Sequence, residues 1–473
     1  MKSKKLLDTV HGYISVPEEF CTKLIDTVFF QRLRRIEQTS ARSLFPCAHH
    51  DRFVHSLGVF HIGQRIVDSV SKQNIEINTG IKTSYLIACL LHDCGHSPFS
   101  HTLEHLFGTT QDLFKVYIKT LKKRNIDKEL WNYDINKSDA KQHEIISAYM
   151  CQTVFYEKIQ ELGGNPAFVC RMIMGILYED KNKSIENCFI SLLHGDIIDA
   201  DKLDYVCRDK WAAGYLSQSV DLDRLISSIL IKQVDGVYKI QYRKNAINEI
   251  QAVIDSKNFQ YMYVFTHHQV VYEQMLLLES VKELIKALNN VNNPSAIFDY
   301  RSYIKPQKKN GITIYLLCDD DIVHLMKTHS KQIPHFEEWF SREYRYFPLW
   351  KTRSEFIALF DPKASNKLLE HGEIFEKTIK PAIHGYNESC KCIILDGNPK
   401  LKTIERGQIE IAFDQSTADF VNLSLPNVKD LYKGKVFKYV FIPIKFYEER
   451  SKILEVIRKA LNEKYKKNGG GKI

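Results

Sequence analysis

The chain has 473 residues, with 66 Lys+Arg against 57 Asp+Glu for a formal charge of +9, and 44% hydrophobic against 26% charged residues. That balance excludes a disordered, collagenous or fibrous polymer, and the length allows a large core divided among two or three structural units. Eleven cysteines with no CxxC pair, the nearest spacing being Cys390-Lys-Cys392, argue against a disulfide or zinc-knuckle framework.

The N-terminus, Met1-Lys-Ser-Lys-Lys, leads to Asp8 and His11 instead of an apolar stretch, so export is not expected and the location reads as cytoplasmic. No uncharged apolar run approaches the roughly 20 residues that cross a bilayer, and no membrane partner is expected. Through about residue 290 apolar residues recur every three or four positions, the period of packed helices. Leu57, Phe60, Ile66, Val67 and Val70 form one stripe, and Tyr85, Ala88, Cys89 and Leu91 a second. Leu192, Leu193, Ile197, Ile198, Leu203 and Val206 form a third. The stretch 258–288, with Val264, Val271, Met275, Leu278, Val281 and Leu284, predicts one long buried helix.

After Asn289 the texture changes, with Pro294, Pro306 and Gly311 as breaks. Ile312-Thr-Ile-Tyr-Leu-Leu, Cys392-Ile-Ile-Leu and Tyr439-Val-Phe-Ile-Pro-Ile predict strands, and 451–464 a closing helix. The expected fold is therefore mostly α, with a helical core over 1–289 and a smaller α+β unit over 290–473. Gly469-Gly-Gly reads as a frayed end. The tail carries Arg458, Lys459, Lys464, Lys466, Lys467 and Lys472, and a second basic stretch covers 115–128. Such clusters suit solvated faces, nucleotides or single-stranded nucleic acid alike.

Residues that ligate metals or phosphates concentrate in separated stretches. They are Arg52-Phe-Val-His55-Ser-Leu-Gly58, Leu91-His92-Asp93-Cys-Gly-His96-Ser-Pro-Phe-Ser-His101, His143-Glu144, and Asp199-Ala-Asp201-Lys202-Leu-Asp204-Tyr205-Val-Cys-Arg208-Asp209. Mixed imidazole and carboxylate ligation suits Fe, Mn, Zn or Ni and leaves positions for water and substrate. An adjacent His-Asp pair offers one ligand of each kind from a helix end, and His55 and Asp201 would have to arrive from other helices. Asp201, Tyr205 and Arg208, at i, i+4 and i+7, share a helix face flanked by Lys202 and Asp209, a row that makes poor core material. Taken singly, each stretch also has a plain structural reading. A His-Asp dipeptide is commonplace, His96 and His101 could cap and pack, and Asp199, Asp204 and Arg208 could form an intrahelical ion-pair ladder. His49, His50 and His61 carry no spacing argument and read as structural or surface residues.

Together, in this order, these stretches resemble the HD-domain deoxynucleoside triphosphate triphosphohydrolases, a family that includes the human enzyme pairing a sterile alpha motif with an HD domain and its bacterial relatives. Phe30-Gln-Arg-Leu-Arg-Arg-Ile-Glu-Gln38, Phe45-Pro46 and the opening His11-Gly12 extend the likeness, which runs from about residue 6 to about 285. Because it begins so near Met1, no sterile alpha motif is expected ahead of it. The resemblance implies an HD-domain phosphohydrolase core over 1–289, and that His55, His92, Asp93 and Asp201 ligate one divalent metal ion, Mg being possible beside the transition metals above. It implies that His96, His101 and His143 lie near the scissile phosphate with Glu104 as acidic partner. It also implies that Arg52 and Lys202 contact the triphosphate, and that Gln38, Tyr205 and Asp209 face the deoxyribose. Asp26, Gln31 and Arg34 match positions that bind an activating guanine nucleotide, although Leu7 stands where that pattern has Asn. The pattern's downstream nucleotide contacts, around His267-His268, are poorly kept.

The implied reaction is hydrolysis of a deoxynucleoside triphosphate to deoxynucleoside and tripolyphosphate, by a homo-oligomer. Other readings remain beside it. One is an HD-type phosphodiesterase acting on cyclic nucleotides or oligonucleotides, and another is a nucleic-acid-binding or interaction protein with a regulatory metal site.

Overall fold

The computed structural model describes residues 2–39, 41–42, 44–215, 220–289, 297–309, 312–360, 369–401, 409–412, 417–419 and 435–467. Pro294, Gly311, Lys472 and the Gly469-Gly-Gly run lie outside the described residues, as do the side chains of Lys466 and Lys467. The chain is mostly helical. It folds into two compact units that interleave along the sequence instead of dividing once near residue 289. One comprises Met1–Ser256, Ile285–Leu325 and Ile404–Asn422, and the other Lys257–Leu284, Met326–Thr403 and Leu423–Ile473.

The first unit is built on the helices Arg52–Ser71, Thr79–Leu91, Gln142–Thr153, Pro166–Met174, Ser184–Leu193 and Ala200–Ala212. Several begin on a side-chain cap, which satisfies an otherwise orphaned N–H. Asp51 accepts from Val54 N at 3.0 Å, Asn78 from Gly80 N at 2.6 Å, and Asp199 from Lys202 N at 2.7 Å. The apolar stripes are core: Phe60, Ile66, Val70, Tyr85, Ala88, Leu91, Leu192 and Leu203 are all buried.

This unit also holds strands that the helical periodicity did not announce. An antiparallel hairpin, Ser3–Asp8 with Gly12–Pro17, opens the chain. Asp8 Oδ1 closes its turn by accepting from Val10 N and His11 N at 2.9 and 2.8 Å. A second hairpin pairs Ile229–Val234 with Val237–Arg243. Asp235 and Gly236 sit between them at φ 50° and 78°, the twist that suits a two-residue turn. Glu410–Ala412 joins that sheet parallel to Val237–Arg243, and Thr417–Asp419 adds antiparallel outside it.

In the second unit Lys438–Pro443 is the central strand, flanked antiparallel by Tyr346–Pro348 and Ile393–Asp396. The Arg450–Lys467 helix sets Ile453, Leu454, Ile457 and Leu461 against a core rich in aromatics, among them Trp350, Phe356, Phe375 and Phe437. Strand and closing-helix expectations for this region hold at 393–396, 438–443 and 450–467.

The single helix expected over 258–288 is not formed. Ile247–Gln260 ends in a π-helical turn, Tyr261–Phe265, and a new helix, His268–Asn289, follows. At the break Thr266 Oγ1 donates to Tyr261 O at 2.7 Å, and His267 Nδ1 accepts from Gln269 N at 3.3 Å. Polar side chains thus replace the ladder bonds that the apolar spacing alone would continue.

Candidate functional site

His55 lies on the Arg52–Ser71 helix, His92 and Asp93 follow the end of Thr79–Leu91, and Asp201 lies in the first turn of Ala200–Ala212. One ligand atom from each of His55, His92 and Asp201 lies within 4.8 Å of the others. Asp93 completes the group, its carboxylate oxygens 3.5 Å from His92 Nε2 and 3.7 Å from His55 Nε2. His92 donates Nδ1–H to Cys89 O at 3.0 Å, so Nε2 faces inward with its lone pair, and that buried atom has no hydrogen-bond partner among the described residues. His55 is squeezed between carboxylates, with Nδ1 at 2.7 Å from Asp204 and Nε2 at 3.0 Å from Asp201. Burial works against its charge, yet Asp201, Asp204 and Asp93 push its pKa up to about 10. A centre that pulls a proton this hard onto an imidazole carries surplus negative charge, and a divalent cation satisfies the same demand. The donor set fits such an ion.

Behind these groups stands a shell of partners that sequence reasoning mostly missed. Asp204 holds His55 Nδ1, and its other oxygen accepts from His11 Nε2 at 2.6 Å. Arg208 grips Asp204 at 2.8 and 3.0 Å and Asp8 at 2.8 Å, tying the N-terminal hairpin to the site. Arg208 therefore does not extend a row of Asp201 and Tyr205 toward a ligand. The intrahelical ion-pair alternative describes it better. Such partners fix a ligand imidazole's tautomer and orientation. Gly58 makes the approach possible, since a Cβ there would lie 1.9 Å from Asp204 Oδ1.

A second cluster abuts the first. His96, His101 and His143 bring ring nitrogens within 4.8 Å of one another. Glu104 organises them: His101 Nδ1 donates to one oxygen at 3.0 Å, and His143 Nδ1 and main-chain N donate to the other at 2.7 and 2.8 Å. Burial alone would raise the Glu104 pKa, but His143 and His101 hold it well below the usual range. His96 is stacked on His143, centroids 3.8 Å apart and planes 18° apart. Parallel rings cannot aim their in-plane lone pairs at one ion between them, so this triad is poor metal-binding geometry. His96 is buried with both ring nitrogens unpartnered, and burial, then Arg52 and the other two histidines, push its pKa well down. Gly95 lets the loop touch the Gln142–Thr153 helix, where a Cβ would meet Ser147 N at 2.4 Å and His143 O at 2.5 Å.

The cations expected on a triphosphate are already engaged. Arg52 is buried, with Nη1 at 2.6 Å from Asp93 and Nε at 2.7 Å from Ser100 Oγ. Lys202 Nζ donates to Asp199 at 2.5 Å and to Gly195 O at 2.7 Å. Of the residues expected at the sugar, Gln38 has an Oε1 with no hydrogen-bond partner among the described residues, and its main-chain N donates to His50 O at 3.0 Å. Asp209 pairs with His50 Nε2 at 2.8 Å, so His50, a half-buried residue whose ring is largely covered, has the structural role of the two the sequence left open. Tyr205 is half-buried one turn after Asp201. At the expected activator positions, Arg34 Nε donates to Gln31 Oε1 at 2.9 Å, Gln31 donates to Ile25 O at 2.8 Å, and Asp26 pairs with Lys4 at 3.3 Å.

Residues 52–204 match the HD domain family. An HD domain therefore occupies this stretch of the chain. Its relatives include the "uncharacterized protein YwfO" of Bacillus subtilis, 29% identical over 323 residues that cover 68% of this chain and 65% of the relative. Another is the "deoxynucleoside triphosphate triphosphohydrolase SAMHD1 homolog" of Dictyostelium discoideum, 28% identical over 307 residues, 60% of this chain and 53% of the relative. The chain thus spans between about half and two thirds of the length of these relatives. The crystal structure of a phosphohydrolase from Bacteroides thetaiotaomicron shares its fold, with a TM-score of 0.61 at 18% identity over 93% of this chain and 99% of that one. Among the described residues no helix is long and apolar enough to cross a membrane.

Proposed function

We propose that the protein is a metal-dependent phosphohydrolase that cleaves deoxynucleoside triphosphates to deoxynucleoside and tripolyphosphate in the cytoplasm. The observation that carries this reading is the contact between two unlike clusters at Asp93, whose Oδ1 lies 3.5 Å from His92 Nε2 and 3.6 Å from His96 Nε2. His55, His92, Asp93 and Asp201 would hold the divalent ion, which supplies Lewis-acid neutralisation of phosphoryl charge when bound.

The protein's own side chains do the remaining work. His101 is the exposed member of the triad, and its Nδ1–H is fixed on Glu104, leaving Nε2 as a base for a water proton. The water oxygen bonds to the α-phosphorus as the bond from phosphorus to the nucleoside 5′-oxygen breaks. The proton gained by His101 is passed across the triad, through His143 or His96, to that oxygen, which limits the charge that builds up on the leaving group. Gln38, Tyr205 and Asp209 orient the sugar. A homo-oligomer, and an activating nucleotide at Asp26, Gln31 and Arg34, belong to the same reading.

One observation favours a second reading. Arg52 and Lys202 are bound by Asp93 and Asp199, which leaves less free positive charge for a triphosphate than for a diester. Metal analysis of the purified protein, followed by incubation with each dNTP with and without GTP, with cyclic nucleotides and with short oligonucleotides, separates the two. Deoxynucleoside with tripolyphosphate is the expected product. Nucleoside monophosphate with pyrophosphate would refute the choice of bond, and turnover of diesters alone would establish the second reading.

A further inference from the structure

A carboxylate far downstream of the matched 52–204 segment reaches the wall of the reaction site. Asp319 Oδ1 accepts from Phe99 N at 2.8 Å and Oδ2 from Glu37 N at 2.9 Å. These N–H groups belong to two different loops. One carries His96 and His101, and the other carries Gln38.

The loop it holds is not one that stays in place unaided. Phe99 and Ser100 both adopt left-handed backbone conformations, φ 54° and 52°, without being glycine. Such conformations persist only where the surroundings over-determine them. Ser100 then relays the constraint: its Oγ donates to Glu37 O and accepts from Arg52 Nε at 2.7 Å, and Arg52 binds Asp93. A second tie runs in parallel. Buried Arg32 donates to Leu317 O at 2.6 Å and to His96 O at 2.8 Å, with its guanidinium 4.4 Å over the Tyr303 ring. The segment around 303–319 is therefore fastened to the reaction loop at His96 and again at Phe99. Burial pushes the Asp319 carboxyl up to about 7 against the pull of both N–H groups and Arg32, so this position is unfavourable for a carboxylate except for the bonds it makes.

We propose that Asp319 is a positioning residue for His96 and His101, bridging their loop to the Gln38 loop from outside the HD motif. The proposal rests on the reading that this triad moves the protons of the reaction.

The test uses Asp319→Asn and Asp319→Glu in the full chain. Asn keeps one acceptor and turns an NH₂ toward the other N–H, so one loop must let go. Metal content, kcat and KM on the best dNTP, and amide hydrogen exchange at Phe99 and Glu37 are measured together. For Asn, unchanged metal content is expected, with kcat lower by about tenfold to a hundredfold, KM within about threefold, and faster exchange at Phe99. Glu, which can still accept both bonds, is expected to recover part of kcat. Wild-type kcat in the Asn variant would overturn the proposal, as would lost activity with unchanged exchange at Phe99. If Asn does not fold, the Glu variant decides by whether kcat and Phe99 protection fall together or not. If no nucleotide is turned over even by the wild type, the functional reading fails, and the exchange at Phe99 still decides for or against Asp319.

Discussion

The two clusters at the site share Asp93 as a neighbour and little else. Around His55 the carboxylates dominate: Asp93, Asp201 and Asp204 all approach it, and its pKa rises to about 10. Around His96 the balance is reversed, with one carboxylate, Glu104, serving His101 and His143 while His96 has no hydrogen-bond partner among the described residues and is driven toward its neutral form. The same residue type is thus set to opposite tasks by what surrounds it. The first environment favours a cation, and the second pushes the pKa values of His96 and His101 down, as bases in the proposed reaction require. Adjacent sites of opposite demand are what hydrolysis of a polyanion needs, since charge must be neutralised on one side while protons move on the other.

The contrast can be broken most sharply at its first half. Asp201→Ala removes the carboxylate 3.0 Å from His55, and is expected to leave a folded protein with little bound metal. Its turnover should fall below about one thousandth of wild type. Elemental analysis beside a nucleotide assay checks it, and a full rate in the metal-free variant would end the metal-centre reading. At the second half, Glu104→Gln is expected to lower kcat by about a hundredfold with metal content unchanged, because the amide keeps an acceptor for only one of His101 and His143 and the other loses the bond that fixes its tautomer. Loss of metal in that variant would show that the clusters act as one unit. A smaller effect is expected behind His55. Asp204→Asn keeps the shape but weakens its hold on His11, His55 and Arg208, and should weaken metal affinity by about tenfold. Titration with a divalent metal reads it out directly.

Which of these residues could be seen in the sequence follows from how local their reasons are. His92-Asp93 stands at the end of an apolar helical run, and Gly58 and Gly95 occupy positions where any Cβ would strike Asp204 or the Gln142–Thr153 backbone. The first is legible as spacing within a few residues, whereas the clashes at the two glycines involve elements far along the chain and are not. The Asp204–His11 and Asp8–Arg208 pairs are separated by 193 and 200 positions, and no periodicity marks them. Asp319 is as remote, 220 positions from Phe99. The fold divides in the same way. Apolar stripes at 57–70, 85–91 and 192–206 mark buried helix faces, while the interleaving of the two units depends on strands such as Glu410–Ala412 that pair far from their sequence neighbours. The 229–243 hairpin carries one local signal, its Asp235-Gly236 turn, within a region whose apolar spacing reads as helical. At 258–288 the apolar spacing continued through Thr266 and His267, whose side-chain hydrogen bonds are what interrupt the helix.

The finest prediction concerns the sugar. Tyr205 follows Asp201 by one helical turn, about 6 Å along the axis, so a nucleotide whose phosphate lies at Asp201 brings its sugar toward the phenol ring. A ring packed on the C2′ face leaves a 2′-hydroxyl either clashing or without a partner, at a cost of about 1–3 kcal/mol. Truncation to Ala opens that space and admits water to the hydroxyl. Tyr205→Ala is therefore expected to raise kcat/KM for ribonucleotides relative to deoxyribonucleotides by about tenfold while leaving metal content untouched. Competition between a dNTP and the matching NTP in one reaction measures the ratio without depending on absolute rates. An unchanged ratio would remove Tyr205 from sugar discrimination and shift attention to Gln38 and to Asp209 with its partner His50.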